Sequence, residues 1–223
     1  MLTSGFTVLP RTKTYLGKNY EKWLAEWGKW FVRNERDETN KDLSKGYVML
    51  RGQSRSYIEH DKGKIESYSE PLVIPLQIKS DTLVFFPVIC TISSKDWEPE
   101  SDLNDDEKLK NDVRKHNQPS LCKDLSVKVN GNELISDNIW SDYNVTTDFF
   151  DIEVDPGNWN DYEGPLSKKI DNVDLKPGRT RAIINGVCFL GKFSKNTAPY
   201  ILRIKGIGSR DYEVNSIYII NVD

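Results

Sequence analysis

Residues 19–33 read NYEKWLAEWGKWFVR. Tyr20, Trp23, Trp27 and Trp30 recur at steps of three and four, the spacing that aligns side chains along one face of a helix. Leu24 and Phe31 widen that stripe, and Glu21, Lys22, Glu26 and Lys29 fall largely on the other side. The stretch holds Trp23, Trp27 and Trp30 out of 6 tryptophans in the chain, so half of the indole surface lies on one short element. Burying an aromatic ring removes roughly 150–250 Å² from water, which at about 25 cal/mol per Å² is worth a few kcal/mol. Amphipathic helices ordinarily bury such a stripe. The expectation is a helix over 19–34, capped by Asn19, packed on a body of strands. The competing reading is an exposed aromatic platform for sugars or a partner protein. It demands a larger bare apolar patch than a monomer ordinarily carries.

Outward from the helix, strand signals dominate. Residues 47–51 (YVMLR) form a short apolar run ending at Gly52. Residues 53–70 are polar, with a turn at 61–63 and weak hairpin alternation at Tyr57, Ile58 and Ile65. Leu72, Ile74, Leu76 and Ile78 alternate at period two, as in a half-buried strand, and Pro75 within them favours a sheet edge. Residues 83–92 are nearly all apolar and read as a central strand. Residues 102–116 are acidic, with Leu103, Leu109 and Val113 as a thin apolar face, and read as a short inserted helix starting near Asn104 and ending before Pro119. Asn130-Gly131 between apolar runs is a hairpin signal. Residues 144–154, 181–193, 200–206 and the closing SIYIINV complete the strands. The fold class that follows is mainly β: an antiparallel β-sandwich, jelly-roll-like, with an N-terminal amphipathic helix packed on it. Residues 1–223 form a single domain, a size that buries a sufficient core without disulfide staples.

A formal net charge of -3 and the lack of a dense Lys/Arg block argue against nucleic acid and anionic membranes as partners. No apolar run approaches the length of about 18 residues that a membrane span needs. The opening MLTSGFTVLPRTKTY lacks the basic and apolar regions of a secretory signal. A cytoplasmic or virion-associated location is therefore expected over secretion. Cys90, Cys122 and Cys188 are odd in number, and Cys90 and Cys188 lie in strand-like runs, so buried free thiols are expected.

Catalytic signatures are sparse. The 2 histidines, His60 and His116, sit in charged stretches and fall short of a cupin-type metal site. There is no GxSxG, HExxH, phosphate-binding glycine loop or CxxC. No catalytic residue, metal ligand or cofactor is assigned on this basis. Around Trp159, the acids Glu153, Asp155, Asp161 and Glu163 include the makings of a glycosidase carboxylate pair, which needs two carboxyls about 5–10 Å apart. Asp155, Asn158, Asn160 and Asp161 are close-set oxygen donors, but they miss the EF-hand spacing. Residues 155–172 read as a long polar loop, where binding commonly resides. There Trp159 is placed to stack on a sugar ring, with Asn158, Asn160 and Asp161 taking its hydroxyls.

Several of these features, in the same order, resemble an uncharacterised β-sandwich family of ammonia-oxidising archaea and some bacteria. The resemblance rests on the aromatic helix (Tyr20, Trp23, Trp27, Trp30) and the short strand before Gly52. It continues with IPLQIKSDTLVFFP (Ile74, Pro75, Phe85, Phe86, Pro87), an acidic helix near 102–116, and the Pro177-Gly178 turn. Gly28 departs from it, standing where relatives tend to carry a second tryptophan. The resemblance implies a fold and no established activity. The function expected is binding or assembly without catalysis, with carbohydrate or another protein as partner and a homo-oligomer among the forms. The alternative is a glycan-active hydrolase using a carboxylate pair.

Overall fold

Alternating apolar residues give each strand a wet and a dry face, and the dry faces must meet. The computed structural model describes all of the chain except residues 1, 4, 34–38, 41–42, 52–58, 62–63, 67–70, 97–104, 135–137, 155–177 and 209–212. In chain order the elements are β1 (Leu2–Thr3), β2 (Phe6–Val8), α1 (Tyr20–Arg33), β3 (Thr39–Asn40), β4 (Tyr47–Leu50), β5 (Glu59–Asp61), β6 (Lys64–Glu66), β7 (Leu72–Ile78) and β8 (Leu83–Ser94). They continue with α2 (Asp106–His116), β9 (Lys123–Val129), β10 (Asn132–Glu133), α3 (Ile139–Tyr143), β11 (Asn144–Thr146), β12 (Phe150–Val154), β13 (Gly178–Phe193), β14 (Tyr200–Ile207) and β15 (Glu213–Val222).

Among the described residues the protein is mainly β, with two mixed sheets, a two-stranded antiparallel ribbon of β5 and β6, and few helices. The 8-stranded sheet runs β1-β2-β13-β8-β4-β3, and β11 and β12 also pair with β13. The 5-stranded sheet runs β10-β9-β14-β15-β7. Phe86, Val88, Val187 and Phe189 of the larger sheet share one apolar cluster with Ile74, Leu76, Leu202, Ile204, Tyr218 and Ile220 of the smaller. A second cluster lies on the other side of the larger sheet, where α1 packs over Met49, Phe85, Ile184, Cys188 and Leu190. Helix, larger sheet and smaller sheet are thus three successive layers.

Local signals account for much of this. Asn19 accepts a hydrogen bond from the Lys22 amide at 3.1 Å, as an N-cap does. Asn130 and Gly131 both take positive φ, 50° and 80°, the geometry of a tight hairpin between β9 and β10. β7, with Pro75, is an edge strand, and β8 lies between β13 and β4.

Three expectations need correction, and one short helix is additional. The sheets are not wholly antiparallel, because β4 runs parallel to β8 and β15 parallel to β7. Alternation reports which way side chains face and carries nothing about strand direction between distant segments. The inserted helix begins at Asp106, capped by Asp105, whose carboxylate accepts from the amides of Glu107 and Lys108; Asn104 lies outside the described residues. Residues 144–154 are two strands, because pairing with β13 breaks off after the Thr147 amide, which donates to the Ile184 carbonyl at 2.9 Å, and resumes at Phe150. The short α3, with no side-chain cap, was not expected at all.

Candidate functional site

The aromatic face of α1 is buried, which overturns the exposed-platform reading. Tyr20, Trp23 and Trp27 are 0% exposed and Trp30 9%. Trp27 stacks on Phe31 with ring centroids 4.6 Å apart, and its indole N–H donates to the Leu50 carbonyl at 3.0 Å. Trp23 meets Tyr47 edge-on at 4.9 Å, but its indole N–H has no acceptor among the described residues. The Lys18 ammonium lies over both of those rings, 4.6 Å and 4.8 Å from their centroids, and pairs with Glu26. Burial pushes the Glu26 carboxyl up, but hydrogen bonds from Lys18 and Tyr47 outweigh it and hold the group below its ordinary range. Gly28 explains how closely the helix sits: a Cβ there would stand 2.2 Å from the Ile184 Cδ1 atom.

Among the described residues, several groups able to do chemistry are buried or paired. None of the three cysteines forms a disulfide. Burial pushes the thiols of Cys90 and Cys188 up, away from the reactive thiolate. His116 faces Asp112 at 3.5 Å within α2, and the His60 side chain lies outside the described residues. Glu153 is exposed and bound to Arg33 at 2.9 Å, while Asp151 pairs with Arg179. Asp106 is held below the usual carboxylate range by the Lys95 hydrogen bond, with Arg181 adding to it, the opposite of what a general acid needs. Among the described residues no group of His, Cys, Asp and Glu can hold a metal ion.

Asn158, Trp159, Asn160 and Asp161, together with Asp155 and Glu163, lie outside the described residues. Only the flanks of that segment are placed: Val154 pairs with Gly178 at the end of the β12–β13 ladder.

A different surface stands out. On the smaller sheet, Ile74, Leu76, Leu202, Ile204, Tyr218 and Ile220 point into the shared core. Alternation therefore sends Val73, Pro75, Ile201, Arg203, Lys205, Ile217 and Ile219 to the opposite face. Pairing sets Pro75, Ile219 and Ile201 in one row across three strands, and Val73, Ile217, Arg203 and Lys128 in the next across four. Val73 is 51% exposed and Ile201 49%, with Ile217 and Ile219 half-buried between them. A one-sided sheet normally turns polar residues to water, so an aliphatic stripe on the wet face is the departure to explain. Arg203 and Lys128 stand directly opposite each other on adjacent strands, a like-charge pairing that costs stability. Lys128 approaches Glu133 at 3.7 Å. The signal for this surface was present in YILRIKGI and SIYIINV, where both phases of the alternation carry aliphatic residues. Reading only the strand hides it.

The chain matches no protein-family model and no curated protein. Among the described residues no helix is long and apolar enough to cross a membrane.

Proposed function

We propose that this chain is a non-enzymatic β-sandwich protein, jelly-roll-like in its layering, that works by binding or assembly. It would then stand with the uncharacterised archaeal and bacterial family that its helix and FFP strand resemble. The observation that carries the reading is the solvent-facing aliphatic stripe on the smaller sheet, Val73, Pro75, Ile201, Ile217 and Ile219. Burying those side chains gains free energy in proportion to the apolar area covered. Of the carboxylates that the hydrolase alternative draws on, Glu153 is exposed and bound to Arg33, and Asp155, Asp161 and Glu163 lie outside the described residues.

Solution mass, a glycan array and sugar release from a polysaccharide panel test the reading together. Binding or a defined assembly that is lost in Ile201→Asp, with the melting curve kept, supports it. Sugar release that disappears in Glu153→Gln contradicts it. Residues 155–172 are a second candidate for carbohydrate, through Trp159 with Asn158, Asn160 and Asp161. Glycan binding that survives Trp159→Ala removes that candidate.

A further inference from the structure

We infer that the outer face of the smaller sheet receives an acidic, aliphatic segment of another protein; this rests on the binding reading above and names the partner's chemistry. The face has two halves. Val73, Pro75, Ile217, Ile219 and Ile201 span β7, β15 and the start of β14, while Arg203, Lys205 and Lys128 lie on β14 and β9. Arg203 and Lys205 have no ion pair among the described residues, and Lys128 has only Glu133 beside it. A partner that laid aliphatic side chains on the first half and carboxylates on the second would cover both. Its two kinds of side chain need stand only about 10 Å apart, two strand spacings. Such a partner also relieves the Arg203–Lys128 juxtaposition that folding alone leaves unfavourable.

Magnitudes separate this occupant from the others. Three strands about 4.8 Å apart, with the stripe covering about four residues of each at about 3.3 Å rise, make roughly 200 Å² of plane. A stable homodimer takes about 800 Å² from each partner, and self-packing over the whole sheet would set cation against cation. Membrane-surface attachment draws on Trp, Phe or Leu with a denser set of about four to eight Lys and Arg, and this face offers β-branched side chains and three cations. Contact also goes through the face, because Pro75 blunts hydrogen-bonded extension of the β7 edge.

The test is selection of a random displayed-peptide library on the immobilised full chain, counter-selected on Ile201→Asp. Enriched peptides should combine Val, Ile or Leu with Asp or Glu. They should weaken by about tenfold or more on Ile201→Asp and on Arg203→Glu, and weaken as salt rises. Val73→Asp on a neighbouring strand repeats the test should Ile201→Asp melt early. Sedimentation of the free chain and co-sedimentation with phosphatidylserine vesicles run alongside. Neutral or basic peptides that still need Ile201 overturn the acidic partner and leave the binding reading standing. A dimer or vesicle binding abolished by Ile201→Asp does the same. Peptides, mass and vesicles all indifferent to Ile201, Val73 and Arg203 overturn both.

Discussion

Replacing Trp27 by alanine should destabilise the protein by about 3–5 kcal/mol. The indole is fully buried between α1 and the larger sheet, stacked on Phe31 at 4.6 Å. A Trp→Ala change in a core loses the ring's transfer free energy and leaves a cavity, together about 3–5 kcal/mol. The indole N–H to Leu50 hydrogen bond at 3.0 Å accounts for about 1 kcal/mol of that total. Phenylalanine separates these contributions. Trp27→Phe keeps most of the stacking but loses the hydrogen bond. Trp23→Phe discards a donor that is already without an acceptor. The Trp27 variant should therefore be the less stable of the two by about 1 kcal/mol. Urea unfolding followed by circular dichroism gives each free energy from midpoint and slope. Trp27→Ala within about 0.5 kcal/mol of the parent would place the ring on a surface. Equal losses for the two phenylalanine variants would remove the Leu50 hydrogen bond from the account.

Further predictions concern the same helix seat. Gly28→Ala gains about 1 kcal/mol of helix propensity but crowds the Ile184 Cδ1 atom, at a cost of about 1–3 kcal/mol. In an Ile184→Val background, which lacks that atom, thermal melting should show the same alanine to be neutral or stabilising; equal effects in both backgrounds would refute the contact. Glu26 is held below its ordinary range when folded, so it favours the folded state above the unfolded value of about 4.3. That contribution fades as pH falls through the folded value, and Glu26→Gln should flatten the stability–pH curve on the acid side. A curve unchanged by Glu26→Gln would contradict the link to Lys18 and Tyr47. Thr180→Val should lower stability, because the Thr180 hydroxyl donates to Asp96 and, with Ser94 Oγ 2.6 Å away, must accept from it. Differential scanning calorimetry of Thr180→Val against Thr180→Ser, which keeps the hydroxyl, checks this. An equal loss in both variants would assign the effect to packing.

The helix was legible because its signal is local: period, cap and polar face all lie within residues 19–33. The Asn130-Gly131 hairpin and the edge position of β7 were legible for the same reason, since a backbone requirement is written in the residue that meets it. Strand direction was not, because β15 joins β7 in parallel after more than half of the chain has intervened. The site is legible only in part. A tryptophan among amides drew attention to residues 155–172, which lie outside the described residues. Ile201, Ile217 and Ile219 looked like ordinary strand residues, because a strand with aliphatic side chains on both phases does not say which phase meets water. Only the shared core of Leu202, Ile204, Tyr218 and Ile220 assigns the other phase to the surface.

The most direct test follows the isoleucine δ1 methyl groups by NMR while a selected acidic peptide is added to the labelled full chain. Signals from Ile201, Ile217 and Ile219 should move, while those of Ile184 beneath α1 and Ile204 in the shared core stay in place. Movement confined to Ile170, the isoleucine of residues 155–172, or to Ile184, with the three outward methyls unchanged, would contradict the assignment of function to this face.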